Sequence, residues 1–117
     1  MSRIYKILSR TEWEAARALG RFDGSAVDRQ DGYIHFSTAA QVAETAARHF
    51  AGQSDLVLVA VDAESLGDEL KWEPSRGGAL FPHLYAALPV RAALWVKSLP
   101  LDSAGLHVFP AEIDDKI

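Results

Sequence analysis

Two histidines carry most of the chemistry this sequence can offer. His35 lies in Gly32-Tyr33-Ile34-His35-Phe36-Ser37-Thr38, a short aromatic and β-branched run that ends in two hydroxyl side chains. His83 lies in Phe81-Pro82-His83-Leu84-Tyr85. An imidazole near neutral pH can donate, accept, stack or bind a metal. Ser37 and Thr38 stand at the start of a helical pattern, so their first role is capping, and a helix N-terminus at a strand end also suits a phosphate or a developing anion. Glu73 adds a carboxylate, and Arg76, in Ser75-Arg76-Gly77-Gly78, adds a fork of donors that matches a pyrophosphate. His35, His83 and Glu73 together are also a donor set for zinc or iron, although no His-x-x-x-His spacing accompanies them. Each has a plainer alternative. His35 can be a core ring satisfied by backbone, His83 can be turn packing, Arg76 a solvated loop residue, and Tyr85, Phe36 and Phe81 cleft wall or core.

Composition limits what those residues can serve. With 117 residues, 49% hydrophobic and 24% charged, the chain reads as one globular domain over residues 1–117. A net charge of −4 with no Lys or Arg run disfavours polymeric nucleic acid but not a single nucleotide. The absence of cysteine excludes disulfides, thiolate catalysis and Cys-bound zinc. No apolar stretch approaches the ~20 residues of a membrane span and the N-terminus has no apolar h-region, which reads as a cytoplasmic protein without a membrane partner.

The elements that must position the histidines alternate between periods of two and about 3.6. Arg3 to Leu8 reads as a strand. Ser9 and Glu12 form a capping box for a helix to Leu19, with Trp13, Ala16 and Leu19 on one face and Gly20 at its C-cap. Phe22 to Asp31 reads as a polar, exposed loop over the cleft. A second helix, Ala39 to Phe50, carries the stripe Val42, Ala43, Ala46, Ala47 and Phe50. Leu56 to Val61 reads as a central strand buried on both faces, followed by a turn capped by Asp62. Glu69 to Glu73 and Val90 to Leu99 read as strands, Ser75 onward as irregular, Leu106 to Phe109 as a last strand, and Asp114 to Ile117 as a fraying end.

Ile4-Tyr5-Lys6-Ile7, Asp31 to Thr38, the Leu/Val run, Trp72-Glu73 and Phe81 to Tyr85 together resemble a small bacterial family called domain of unknown function 952, over almost the whole chain. That family is grouped with the ADP-ribosyltransferase-like fold. The resemblance implies an α+β chain of two small mixed or antiparallel β-sheets, with two helices packed on them and NAD in the cleft between the sheets. On the first strand the family keeps a ribose-holding His where this chain has Lys6, which either pairs with a carboxylate across the sheet or meets a ligand phosphate. His35 falls where poly-ADP-ribose polymerases place a nicotinamide-stacking Tyr. His83 falls where transferases place, on a later strand, the Glu that stabilises an oxocarbenium-like transition state, so the missing carboxylate must come from elsewhere, Glu73 or Glu112. The two histidines are then expected on adjacent strands with their rings facing a common concavity next to Ser37. The implied site is therefore His35 and His83 as catalytic residues, with Lys6, Ser37, Thr38, Glu73, Arg76 and Tyr85 on the ligand. Three functions follow: an NAD-using glycosyl or ADP-ribosyl transferase or hydrolase, a non-catalytic NAD or ADP-ribose binding module, or the His/carboxylate metal site. The partner in the first two is a small nucleotide, with no metal expected.

Overall fold

β1 (Arg3–Ser9) runs directly into α1 (Arg10–Leu19) through the expected capping box. The Ser9 hydroxyl accepts from the Glu12 N–H at 3.0 Å, while the Glu12 carboxylate accepts from the Ser9 N–H at 3.3 Å. Gly20 closes the helix in the left-handed region, donating to the Ala16 carbonyl at 2.7 Å. Trp13 and Ala16 are buried on that helix, whereas Leu19, in its last turn, is exposed. This computed structural model describes residues 2–113, so the expected fraying of Asp114 to Ile117 lies outside the described residues.

β4 (Leu56–Asp62) is the centre of a sheet ordered β1-β4-β8, where β8 is Ala93–Ser98, and both pairings are antiparallel. Every residue from Leu56 to Val61 is buried. Alternation explains how: Val57, Val59 and Val61 meet Ile4, Leu8, Trp13 and Phe22 on one face, and Leu56, Leu58 and Ala60 meet Tyr5, Ile7, Val42 and Ala46 on the other. α3 (Ala39–His49) covers that second face with Val42 and Ala46, while Ala43 and Ala47 stay exposed. Asp62 caps the 3-10 turn Ala63–Glu69, accepting from the Glu64 N–H at 3.2 Å.

A second antiparallel sheet is ordered β3-β6-β5, from β3 (Ile34–His35), β5 (Leu70–Pro74) and β6 (Leu80–Leu84). β2 (Arg21–Phe22) and β7 (Leu88–Pro89) form a small third pair. The two larger sheets meet at one bridge, in which Tyr5 and Ser37 exchange backbone hydrogen bonds of 2.8 and 2.9 Å. The α+β class and the small antiparallel sheets match expectation, and four details do not. The polar stretch before the His35 strand holds a helix, α2 (Ala26–Asp31), so the described residues contain three α-helices rather than two. The supposedly irregular stretch after Ser75 contains β6, the middle strand of its sheet. β8 begins only after a 3-10 turn at Val90–Ala92, and the Leu106 to Phe109 region makes a single bridge, Leu101 with His107, and no strand. No helix among the described residues is long and apolar enough to cross a membrane.

Candidate functional site

β-pairing puts the two histidines side by side. His35 is the register partner of His83, which in turn faces Lys71 on β5. The His35 and His83 ring centroids are 5.7 Å apart at 66°. Glu73 faces Phe81, one diagonal step from His83, which is within reach of a carboxylate side chain. Its Oε1 accepts from His83 Nδ1 at 2.7 Å and from the Tyr85 hydroxyl at 2.8 Å. The His83 bond, then the Tyr85 bond, hold the Glu73 carboxyl below its usual range, and the same bond to Glu73 pushes the Tyr85 hydroxyl up. With Nδ1 donating to Glu73, a neutral His83 ring leaves Nε2 as an acceptor, and Nε2 has no hydrogen-bond partner among the described residues. Tyr33 stacks on His83 at 4.1 Å and 28°, and lies 4.6 Å from His35 and 5.2 Å from Tyr85. His83 is thereby only 3% exposed. Burial, followed by Asp31 and Glu73, raises the Tyr33 hydroxyl.

His35 is held from below by a buried charge network. Asp28, 1% exposed on α2, places Oδ1 2.6 Å from His35 Nδ1 and 3.2 Å from the His35 backbone N–H. Its Oδ2 accepts from the Ser25 N–H and hydroxyl at 2.9 and 3.0 Å. Lys6, 5% exposed, bridges both oxygens at 3.1 and 2.9 Å. Burial alone would raise Asp28, but the His35 bond and then the Lys6 charge outweigh it and hold the carboxyl far below its usual range. Burial likewise lowers Lys6, against the opposing pull of Asp28. On the outer side, His35 Nε2 meets Asp31 Oδ2 at 2.9 Å. Gly24 fits tightly under this network: its φ is +107°, and an added Cβ would stand 2.9 Å from the Asp28 Cβ. Gly24→Ala is expected to cost about 1–3 kcal/mol in urea unfolding. A loss no greater than that of Gly20→Ala, where the added methyl meets nothing, would show that Asp28 can shift freely.

The other expected residues divide. Glu73 and Tyr85 join the histidines, but Lys6, expected at a ligand, is enclosed with Asp28 instead. Ser37 is not a helix cap. It is buried with its hydroxyl 2.9 Å from Thr45 Oγ1, and Thr38 takes the N-cap position, its N–H donating to Gln41 Oε1 at 3.0 Å. Arg76 donates to Thr45 Oγ1 at 3.2 Å, lies over the Phe81 ring at 4.8 Å and approaches Glu44 at 3.7 Å, so its guanidinium is already engaged. Glu112 pairs with Lys97 of the first sheet at 3.6 Å. Among the described residues no group of three or more His, Cys, Asp or Glu side chains is arranged to hold a metal ion. An open concavity of about 230 Å³ is lined by Tyr33 together with Asp23, Asp28, Arg29, Leu84 and Tyr85, and neither His35 nor His83 nor Glu73 is among its lining residues, so the two histidine rings do not face it in common.

Asp28, Asp31 and Tyr33 are the site residues that sequence reasoning did not select. The signal for Asp28 was the Ser25-x-x-Asp28 spacing, a helix-start pattern inside a run that otherwise reads as loop. Tyr33 stood within the histidine motif itself.

The fold and this face define an α+β protein built on two three-stranded antiparallel sheets, one of which carries a paired-histidine, tyrosine and carboxylate cluster. The chain belongs to the family described as "Protein of unknown function (DUF952)", whose model matches residues 7–96. It is similar to the crystal structure of protein CC0527 from Caulobacter crescentus, at 55% identity and a TM-score of 0.92 over 96% of this chain and 98% of that one. The solution structure of CC0527 matches at 59% identity and a TM-score of 0.82, over 91% of each chain. No curated protein matches the chain.

Proposed function

We propose that this chain binds an NAD-type nucleotide on the outer face of β3, β6 and β5 and splits the bond between nicotinamide and ribose there. The observation that carries the reading is Glu73: its carboxylate, depressed below the usual range, is fixed 2.7 Å from His83 Nδ1, on the strand beside the one where the resemblance leaves a carboxylate missing. As the glycosidic bond breaks, its electron pair leaves on the nicotinamide nitrogen and positive charge grows on the ribose, which an ionised carboxylate stabilises. The nucleophile, water or an acceptor hydroxyl, bonds to the ribose carbon while His83 Nε2 takes its proton. His35 and Tyr33 supply flat rings for the nicotinamide end.

A second reading, a binding module without turnover, draws on the burial of His83 beneath Tyr33, because that ring must swing aside before His83 meets a substrate. One experiment separates the two. NAD at millimolar concentration is expected to raise the Tm of the purified protein, and mass spectrometry of the mixture is expected to show free nicotinamide and ADP-ribose. Binding with intact NAD selects the module. No thermal shift with NAD, ADP-ribose or nicotinamide sinks both.

A further inference from the structure

The buried Lys6–Asp28 pair takes no part in the reaction above, yet it reaches His35 directly. We propose that the two carboxylates of α2 act on that ring in opposite senses: Asp28 is a positioning residue that fixes the ring and keeps Nδ1 a donor, and Asp31 occludes Nε2 until a ligand replaces it. The Asp31 half rests on the nucleotide reading of this face, and the Asp28 half does not.

The geometry distinguishes the two acids. One oxygen of Asp28 faces both the ring Nδ1 and the backbone N–H of His35, so ring and strand are located by the same atom. Its other oxygen is fixed by Ser25, and Lys6 reaches both, so the carboxylate has no freedom to rotate away. The partner on one imidazole nitrogen sets what the other can do. Asp31, at the last position of the same helix, is 41% exposed on its side chain, and its bond to Nε2 is a surface contact. Rotation of that side chain into water leaves no buried group unpaired. In the imidazolium form of His35, which donates from both ring nitrogens, the Asp31 oxygen stands where an acceptor on a ligand, a carboxamide carbonyl or a phosphate oxygen, would receive the Nε2–H. The next residue but one is Tyr33, which covers His83, so one short segment, Asp31 to Tyr33, screens both histidines.

The test compares wild type with Asp28→Ala and Asp31→Ala, which remove the acceptor oxygens outright. In long-range 1H–15N spectra of the imidazole rings without ligand, the protonated, hydrogen-bonded Nδ1 of His35 is expected in wild type and Asp31→Ala and lost in Asp28→Ala. Calorimetric titration with NAD is expected to show binding weakened roughly 10-fold or more by Asp28→Ala and tightened by Asp31→Ala. If Asp28→Ala does not fold, Lys6→Met/Asp28→Ala removes the stranded cation as well and carries the same expectation. Survival of the Nδ1 signal in the Asp28 variants overturns the positioning role. Binding that is not tightened by Asp31→Ala overturns the occluding role. Absence of NAD binding in wild type overturns the Asp31 half together with the proposed function, while the ring spectra still decide the Asp28 half.

Discussion

Lys6→Met is expected to destabilise the fold by about 3–5 kcal/mol, because it leaves Asp28 as a buried carboxylate without its cation. For a chain of this size that is a drop in Tm on the order of 10–20 °C, readable by calorimetry. Lys6→Met/Asp28→Asn is expected to recover part of the loss, since neither charge is then stranded. An equal or larger loss in the double variant would show that the hydrogen bonds of Asp28 to Ser25 and His35, rather than its charge pairing, hold this region. The pH dependence has a definite sign. The folded-state pKa of Asp28 is depressed, so its contribution to stability is present above the unfolded value of about 3.9 and declines as pH falls below it toward the lower folded value. Wild type is therefore expected to lose stability more steeply below about pH 4 than the double variant does. Parallel acid unfolding curves would sink this assignment.

Glu73→Gln is expected to reduce nicotinamide release by about a hundred- to a thousand-fold, the scale of one electrostatic group lost from a transition state. The amide oxygen still accepts from His83 and Tyr85, and the position is partly exposed, so stability should change by no more than about 0.5 kcal/mol. NAD binding should persist, which places the loss in kcat rather than KM. Undiminished release by the variant would remove Glu73 from the mechanism. A matched loss of binding would instead give it a purely ligand-holding role.

Much of the fold was legible because local physics decides it. Ser9 and Glu12 three residues apart, Gly20 after the last helical turn and the unbroken Leu/Val run of β4 each imply their structure with no distant partner. α2 was misread because Ala26 to Asp31 has the composition of a loop, and its defining acid points inward, which composition cannot express. The residues of β6 read as irregular because Pro82 interrupts the pattern, and only the resemblance set His83 on a strand beside that of His35, as the pairing has it; Pro82 still offers its carbonyl to the Phe36 N–H at 3.0 Å.

The site divides along the same line. The sequence by itself determined which groups were available, namely two histidines in aromatic settings, a carboxylate on the strand before His83, and no cysteine, together with the local elements that carry them. Only the tertiary structure decided that His35 and His83 are register partners, that Glu73 rather than Glu112 serves His83, and that Lys6 is enclosed with Asp28 instead of facing a ligand. Hydrogen-bond register between strands 48 residues apart in sequence, and the direction of a side chain from a six-residue helix, follow from how the whole core packs and have no signature in nearby residues.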